Sequence, residues 1–227
     1  MKHVLVLTDF SNASQNALRF VLTWLQDAKI NCHVLLLNTY LIPLSPVDEL
    51  IRINDELRDA SQKKLRNELQ QVGTVIRDSN ITFELLSYMG SVKSVLNYLS
   101  ADKKIEFLTI CDNAIVDIGP LANLKCPVLT IPKQAVYSGI KKIALIQNGI
   151  RTSDKEFLPK WDKLFDKTKF VLSNISDGTS ETVLDFSKKN QIDLFVYPCG
   201  TSPTSKTLPL CTLSQLQSPL LFLHPQS

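Results

Sequence analysis

Lys2-His3-Val4-Leu5-Val6-Leu7-Thr8-Asp9 and Lys141-Lys142-Ile143-Ala144-Leu145-Ile146-Gln147-Asn148 are the two stretches on which the fold turns. Each sets a polar pair before four apolar residues and a polar pair after them. A continuous apolar run of this length, rather than an alternating one, marks a strand covered on both faces, as in a parallel sheet. The trailing pairs, Thr8-Asp9 and Gln147-Asn148, then fall at the carboxyl ends of strands, where doubly wound sheets form their binding crevice.

Outward from the first stretch, short apolar runs alternate with amphipathic segments. Ser11 or Asn12 starts a helix, with Gln15 placed three residues after Asn12 for a capping box, and Ala17, Leu18, Val21, Leu22 and Leu25 follow at helical spacing. Val34–Leu37 reads as a second strand. Ser45-Pro46 opens a long helix, with proline at its first position and Asp48 and Glu49 in its first turn. Leu50, Ile53, Leu57, Leu65, Leu69 and Val72 mark its buried stripe, and Gly73 suits its C-terminal cap. Thr82–Leu86 is a third strand, Ser91–Leu99 a helix, Ile105–Ile110 a fourth strand, and Val128–Ile131 a fifth after a short segment at Asp117–Leu124. Steady strand–helix alternation implies right-handed crossovers and a doubly wound α/β sheet.

The pattern then restarts. The opening stretch recurs at an offset of 139 (141 − 2), and Val34–Asn38 resembles Phe170–Asn174 at 136 (170 − 34). Gly90-Ser91 with Val95-Leu96 resembles Gly178-Thr179 with Val183-Leu184 at 88 (178 − 90). Leu124-Lys125-Cys126-Pro127-Val128-Leu129 resembles Leu216-Gln217-Ser218-Pro219-Leu220-Leu221 at 92 (216 − 124). Four blocks in preserved order indicate a duplication. The one large drop in offset, from 136 to 88, removes the counterparts of the long helix and the third strand. The expected organisation is a complete domain at 1–133, a linker at 134–140 and a shortened domain at 141–227. The shortened copy is expected to lean on the first rather than fold alone.

Composition narrows the function. The 227 residues carry a formal net charge of +3, and their Lys and Arg are interspersed with acids, so no nucleic-acid partner is expected. Lys141-Lys142 reads as a solvated strand end. The five cysteines form no C-x-x-C pair, and Cys111 and Cys126 read as packed residues. His3, His33 and His224 are isolated, so no metal is expected. No uninterrupted apolar run exceeds four residues, too short for a membrane span or a signal peptide, and a cytoplasmic, reducing location is expected. The seven glycines, at 73, 90, 119, 139, 149, 178 and 200, exclude G-x-G-x-x-G, Walker A and G-x-S-x-G motifs, which need glycines two to five apart. Asp48-Glu49 and Asp55-Glu56 read as solvated helix faces, and no catalytic constellation emerges. The hydroxyl-rich Thr201-Ser202-Pro203-Thr204-Ser205-Lys206 reads as a solvated loop.

Val6-Leu7-Thr8-Asp9-Phe10-Ser11 with Asn16-Ala17-Leu18, Gly90 with its helix, Ile105–Ile110, and Cys126-Pro127-Val128-Leu129 together resemble the universal stress protein family in its tandem form. The resemblance implies a five-stranded parallel sheet of flavodoxin-like, adenine-nucleotide-hydrolase-like layer order. It also implies two modules paired about a two-fold axis through their fifth strands, an internal pseudo-dimer. Many members bind ATP with an acid ending the first strand and a loop of form G-x-x-G-x9-G-[S/T] after the fourth. Asp9 stands at that acid. The loop does not survive: Gly119 is the one glycine between Ile110 and Cys126, and the corresponding segment of the second copy holds Gly200 between Pro198 and Pro203. In the second copy the acid has become Asn148.

Thr8, Asp9 and Asn38 are therefore the candidate ligand-binding residues, as lining of one crevice. Asp9 can equally accept hydrogen bonds from helix N-terminal amides, and Asn38 can equally form a turn. The expected function is a non-enzymatic stress-response or signalling module with a degenerate nucleotide loop and no cofactor. It would act through protein contacts or a small ligand. An ATP- or AMP-binding module using Asp9 is the alternative, and a nucleotide hydrolase a third reading. The expected partners are a second copy, paired through unpaired sheet edges, or another protein.

Overall fold

The computed structural model describes residues 2–42, 47–73, 80–102, 104–111, 126–146, 171–175, 179–198 and 216–223. In chain order the elements are β1 (Lys2–Leu7), α1 (Asn12–Asp27), β2 (Cys32–Tyr40), α2 (Val47–Val72), β3 (Ile81–Met89), α3 (Val92–Asp102), β4 (Ile105–Cys111) and β5 (Val128–Ile131). After these come β6 (Lys142–Ile146), β7 (Val171–Ile175), α4 (Ser180–Asn190), β8 (Leu194–Pro198) and β9 (Leu220–Leu223).

The nine strands form one sheet in the order β3-β2-β1-β4-β5-β9-β8-β6-β7. Every pairing is parallel except β5 with β9. Outward from that antiparallel junction the two halves run β5-β4-β1-β2-β3 and β9-β8-β6-β7. This is the same doubly wound order twice, with no strand beyond β7 among the described residues. β7 ends at Ile175 and α4 begins at Ser180, so no long helix and strand intervene there as they do between β2 and α3. The chain is thus two doubly wound α/β modules in tandem, joined through β5 and its counterpart β9 as an internal pseudo-dimer.

The pairing registers refine the repeat. Leu7 lies opposite Leu37, and Ile146 lies opposite Ile175. Leu37 therefore corresponds to Ile175, an offset of 138 (175 − 37) rather than the 136 that the sequence blocks suggested. Asn174 then matches Leu36, and the counterpart of Asn38 is Ser176, outside the described residues. A slip of two preserves which face each side chain takes, so hydrophobic patterning alone did not detect it.

Local chemistry explains the element boundaries. Ser11 takes an extended conformation, and its hydroxyl accepts the Ser14 N–H at 3.2 Å while its carbonyl accepts from the Gln15 N–H at 3.0 Å. Ser11 is therefore the cap of α1, and the Asn12/Gln15 capping box is not formed. A cap of this kind is worth about 1 kcal/mol. Ser91 caps α3 in the same way, accepting the Ser94 N–H at 3.2 Å. α2 ends at Val72, but Gly73 is not left-handed as the expected cap would be. Ser45-Pro46 and Asp117–Leu124 lie outside the described residues.

Two apolar layers sandwich the sheet. One joins α1 and α2 residues such as Leu18, Leu22, Leu25 and Leu65 to Val4, Val6 and Val34, and continues through Leu129 and Leu221 to Ile143 and Val196. The other joins Val95, Leu96 and Leu99 of α3 to Leu5 and Leu108, and continues through Val128 and Phe222 to Phe195 and Val183. Among the described residues both layers cross the junction without a break. The connection between the halves is fastened to α1: Asn16 donates to the Ala135 carbonyl at 2.8 Å, Tyr137 packs edge-on against Phe20, and its hydroxyl donates to Asp27 at 2.6 Å. No helix among the described residues is long and apolar enough to cross a membrane.

Candidate functional site

The carboxyl ends of β1, β2 and β3 carry a row of polar residues in otherwise apolar strands. Asn38 lies opposite Ser87 in the β2–β3 register, and the Thr8 N–H donates to the Leu37 carbonyl at 2.8 Å, which sets Thr8 beside Asn38. Thr8, at 2% exposure, and Asn38, at 8%, are buried, while Asp9 beside them is exposed.

The row is bound into a network by the helices above it. Asn38 donates through Nδ2 to the Thr8 carbonyl at 2.9 Å and accepts from the Ser61 hydroxyl of α2 at 2.8 Å. The Thr8 hydroxyl lies 2.8 and 2.9 Å from the two carboxyl oxygens of Glu68, also on α2, and 3.0 Å from the Ser14 hydroxyl of α1. It accepts the Phe10 N–H at 3.0 Å. The Ser87 hydroxyl is buried without a hydrogen-bond partner among the described residues.

The β1–α1 turn is held by side chains on either side of Phe10. Asp9 accepts the Ser11 N–H at 2.9 Å, and Thr8 takes the Phe10 N–H. Together they fix Phe10 at a φ of +64°, a left-handed conformation that costs an L residue about 1–2 kcal/mol. The Phe10 ring lies 5.4 Å from the Lys64 ammonium of α2. Such strain gathers where a loop conformation has a use.

Two acids here sit in opposite environments. Burial works to raise Asp9, but hydrogen bonds from Ser11 and Ser14 outweigh it and hold the carboxyl below its ordinary value. Glu68 is 2% exposed. Burial pushes it up to about 7, against the Thr8 hydrogen bond and with a contribution from the Asp9 charge.

The structure thus brings Thr8 and Asn38 into direct contact and leaves Asp9 on the surface one residue away. Sequence reading missed Ser14, Ser61 and Glu68. A signal for two of them existed: Leu57, Ser61, Leu65, Glu68 and Val72 follow one helical stripe, so both polar residues occupy core positions of α2. Asn148, Gly119, Gly200 and Thr201–Lys206 lie outside the described residues. Cys32, Cys111 and Cys126 are buried thiols outside any disulfide, and burial pushes Cys32 and Cys126 up to about 11, which keeps those two unreactive. No group of ligating side chains suited to a metal occurs among the described residues.

Comparison with solved structures gives the architecture its class. A universal stress protein from Archaeoglobus fulgidus superposes with a TM-score of 0.66 at 15% identity, covering 98% of each chain. A functionally unknown protein from Pseudomonas aeruginosa PAO1 superposes at 0.54 with 13% identity, covering 100% of this chain and 93% of its own. No protein-family model and no curated protein matches the sequence. The chain has the universal stress protein fold. Both halves of the sheet take part in that likeness, which spans 98% and 100% of the chain in the two comparisons.

Proposed function

We propose that the chain is a non-enzymatic stress-response or signalling module of universal stress protein type, acting in the cytoplasm through protein contacts or a small ligand other than a nucleoside triphosphate. The observation that carries this reading is the closed network at the carboxyl ends of β1 and β2. Thr8 and Asn38 spend their hydrogen bonds on each other, on Ser61 and on Glu68. The glycine-poor sequence after the fourth strands adds support, because phosphate loops depend on closely approaching backbone N–H groups. In this reading residues 1–133 form the complete module, 134–140 the linker and 141–227 the shortened module. The terminal strands β3 and β7 offer the edges through which a second copy would pair.

A second reading, an adenine-nucleotide-binding module, is favoured by one observation: Asp9 presents an exposed carboxylate at the strand ends, beside the strained Phe10. The two separate in a thermal-shift titration of the full chain with millimolar ATP and magnesium, run with a phosphate-release assay. The preferred reading expects neither a shift nor phosphate release. A shift abolished by Asp9→Ala replaces it with the second reading, and steady phosphate release that follows the protein through purification makes the chain a hydrolase.

A further inference from the structure

α2 is an unevenly attached helix. Its sheet-facing side buries Leu65 and Val72, and polar bonds also tie it to the strands: Asn54 accepts from the Tyr40 hydroxyl at 2.9 Å, Ser61 bonds Asn38, and Gln62 donates to the Leu85 carbonyl at 3.3 Å. Ile51, toward its amino end, is 76% exposed. Glu68 is the buried acid in this attachment. No basic group among the described residues lies within ion-pair distance of it.

The hydrogen-bond inventory around Thr8 differs in its connections between the two protonation states of Glu68. A threonine hydroxyl has one hydrogen to give and two lone pairs to receive. The Phe10 N–H fills one lone pair. With Glu68 ionised, the Thr8 hydrogen must go to the carboxylate, and the Ser14 oxygen 3.0 Å away receives nothing from Thr8. With Glu68 protonated, its O–H fills the second lone pair of Thr8, and the Thr8 hydrogen turns to Ser14. Ser14 keeps its own hydrogen for the Ser11 carbonyl at 2.9 Å or the Asp9 carboxylate, and its oxygen is open to the Thr8 hydrogen. Each hydroxyl hydrogen has a partner in both states, but in the protonated one alone does an unbroken chain run from α2 through Thr8 and Ser14 to the cap of α1.

We infer that Glu68, Thr8 and Ser14 form a proton-gated latch that holds α2 against the β1–α1 loop when Glu68 carries its proton and loosens it when the proton leaves to bulk water. Among the described residues, the charge of Asp9 in the β1–α1 turn acts on Glu68, and Lys64, one turn back on α2, holds its ammonium over the Phe10 ring. β1, β2 and α1 contribute the uncharged Thr8, Asn38 and Ser14. Asp9 opposes ionisation of Glu68, and burial opposes it more strongly. The closed state thus holds the proton up to about pH 7, whereas an exposed glutamate releases it near 4.5. Closure is therefore favoured fully below about 4.5, weakens as pH rises through that window, and is weakest above about 7.

The test uses the full chain and two observables, the side-chain carboxyl carbon resonance of Glu68 and hydrogen exchange of the α2 amides corrected for intrinsic rates. The resonance is expected to titrate near pH 7, and α2 protection to fall by up to about tenfold per pH unit between about pH 5 and 7. Glu68→Gln, whose amide donates to Thr8 permanently, is expected to hold α2 protection flat over the same range. Ser14→Ala removes the acceptor for the Thr8 hydrogen and is expected to lower the Glu68 midpoint by about half to one pH unit. A Glu68 midpoint below about pH 5, or α2 protection in the unaltered protein that does not change with pH, overturns the latch. An unmoved midpoint in Ser14→Ala also overturns it, because burial without the relay needs no Ser14. If Glu68→Gln does not fold, the unaltered protein and Ser14→Ala decide the matter.

Discussion

Leu129 of β5 lies directly opposite Leu221 of β9, and the two are counterparts in the repeat, related by the 92-residue offset (221 − 129) of their sequence blocks. Val128 faces Phe222 and Thr130 faces Leu220, the same exchange on either side. A pseudo-two-fold axis therefore passes between Leu129 and Leu221, each 1% exposed and both in one apolar layer. Leu129→Ala and Leu221→Ala are each expected to cost about 2–5 kcal/mol in urea unfolding. Because the side chains are cross-strand neighbours, the double variant should depart from additivity by at least about 0.5 kcal/mol. Additive losses would mean that the junction is not a packed unit.

The same junction bears on autonomy. β9 is paired on one side by β8 and on the other by β5, and both apolar layers pass through it. A fragment of residues 141–227 would expose the β5-facing edge of β9 and strip Leu221 and Phe222 of their cover. Expressed alone, it is expected to show no cooperative thermal transition as a monomer. A sharp monomeric melt would show that the half carries its own core.

Most strands were legible as short apolar runs, and the junction was legible because Cys126-Pro127-Val128-Leu129 and Ser218-Pro219-Leu220-Leu221 repeat one another closely. The register of β7 was not, since a slip of two leaves the inward and outward pattern unchanged. The cap of α1 fell one residue earlier than the capping-box pattern because Ser11, not Asn12, takes the extended conformation. The site divides along the same line. Thr8 and Asn38 follow from their places at strand ends. Their partners Ser61 and Glu68 sit on the core stripe of α2, where a polar residue is normally read as a gap in the stripe rather than as a member of it.

Gly90 joins β3 to the cap of α3 at a φ of +127°, and its N–H donates to the Tyr40 carbonyl at 2.9 Å. A Cβ added there would meet only Val95 Cγ2 at 3.9 Å, an ordinary contact. The penalty for Gly90→Ala is thus conformational rather than steric, expected at about 1–3 kcal/mol in chemical denaturation. A neutral substitution would show that the turn relaxes to a negative φ without loss.

Tyr137 tests the fastening of the linker. Its hydroxyl donates to Asp27 across 2.6 Å while its ring packs against Phe20, so Tyr137→Phe removes the hydrogen bond and keeps the ring. The expected cost is about 0.5–1.5 kcal/mol at neutral pH. Burial raises the phenol above its ordinary value of 10.0, with the hydrogen bond to Asp27 and the charges of Asp27 and Asp193 adding to it. A group whose value is raised by folding contributes stability below its unfolded value and loses it as pH rises. The advantage of the unaltered protein over Tyr137→Phe should therefore hold constant below about pH 10 and shrink above it. Urea midpoints for the two proteins between about pH 8 and 11 check this, and an advantage that stays constant across the range would mean that the phenol is not held by Asp27.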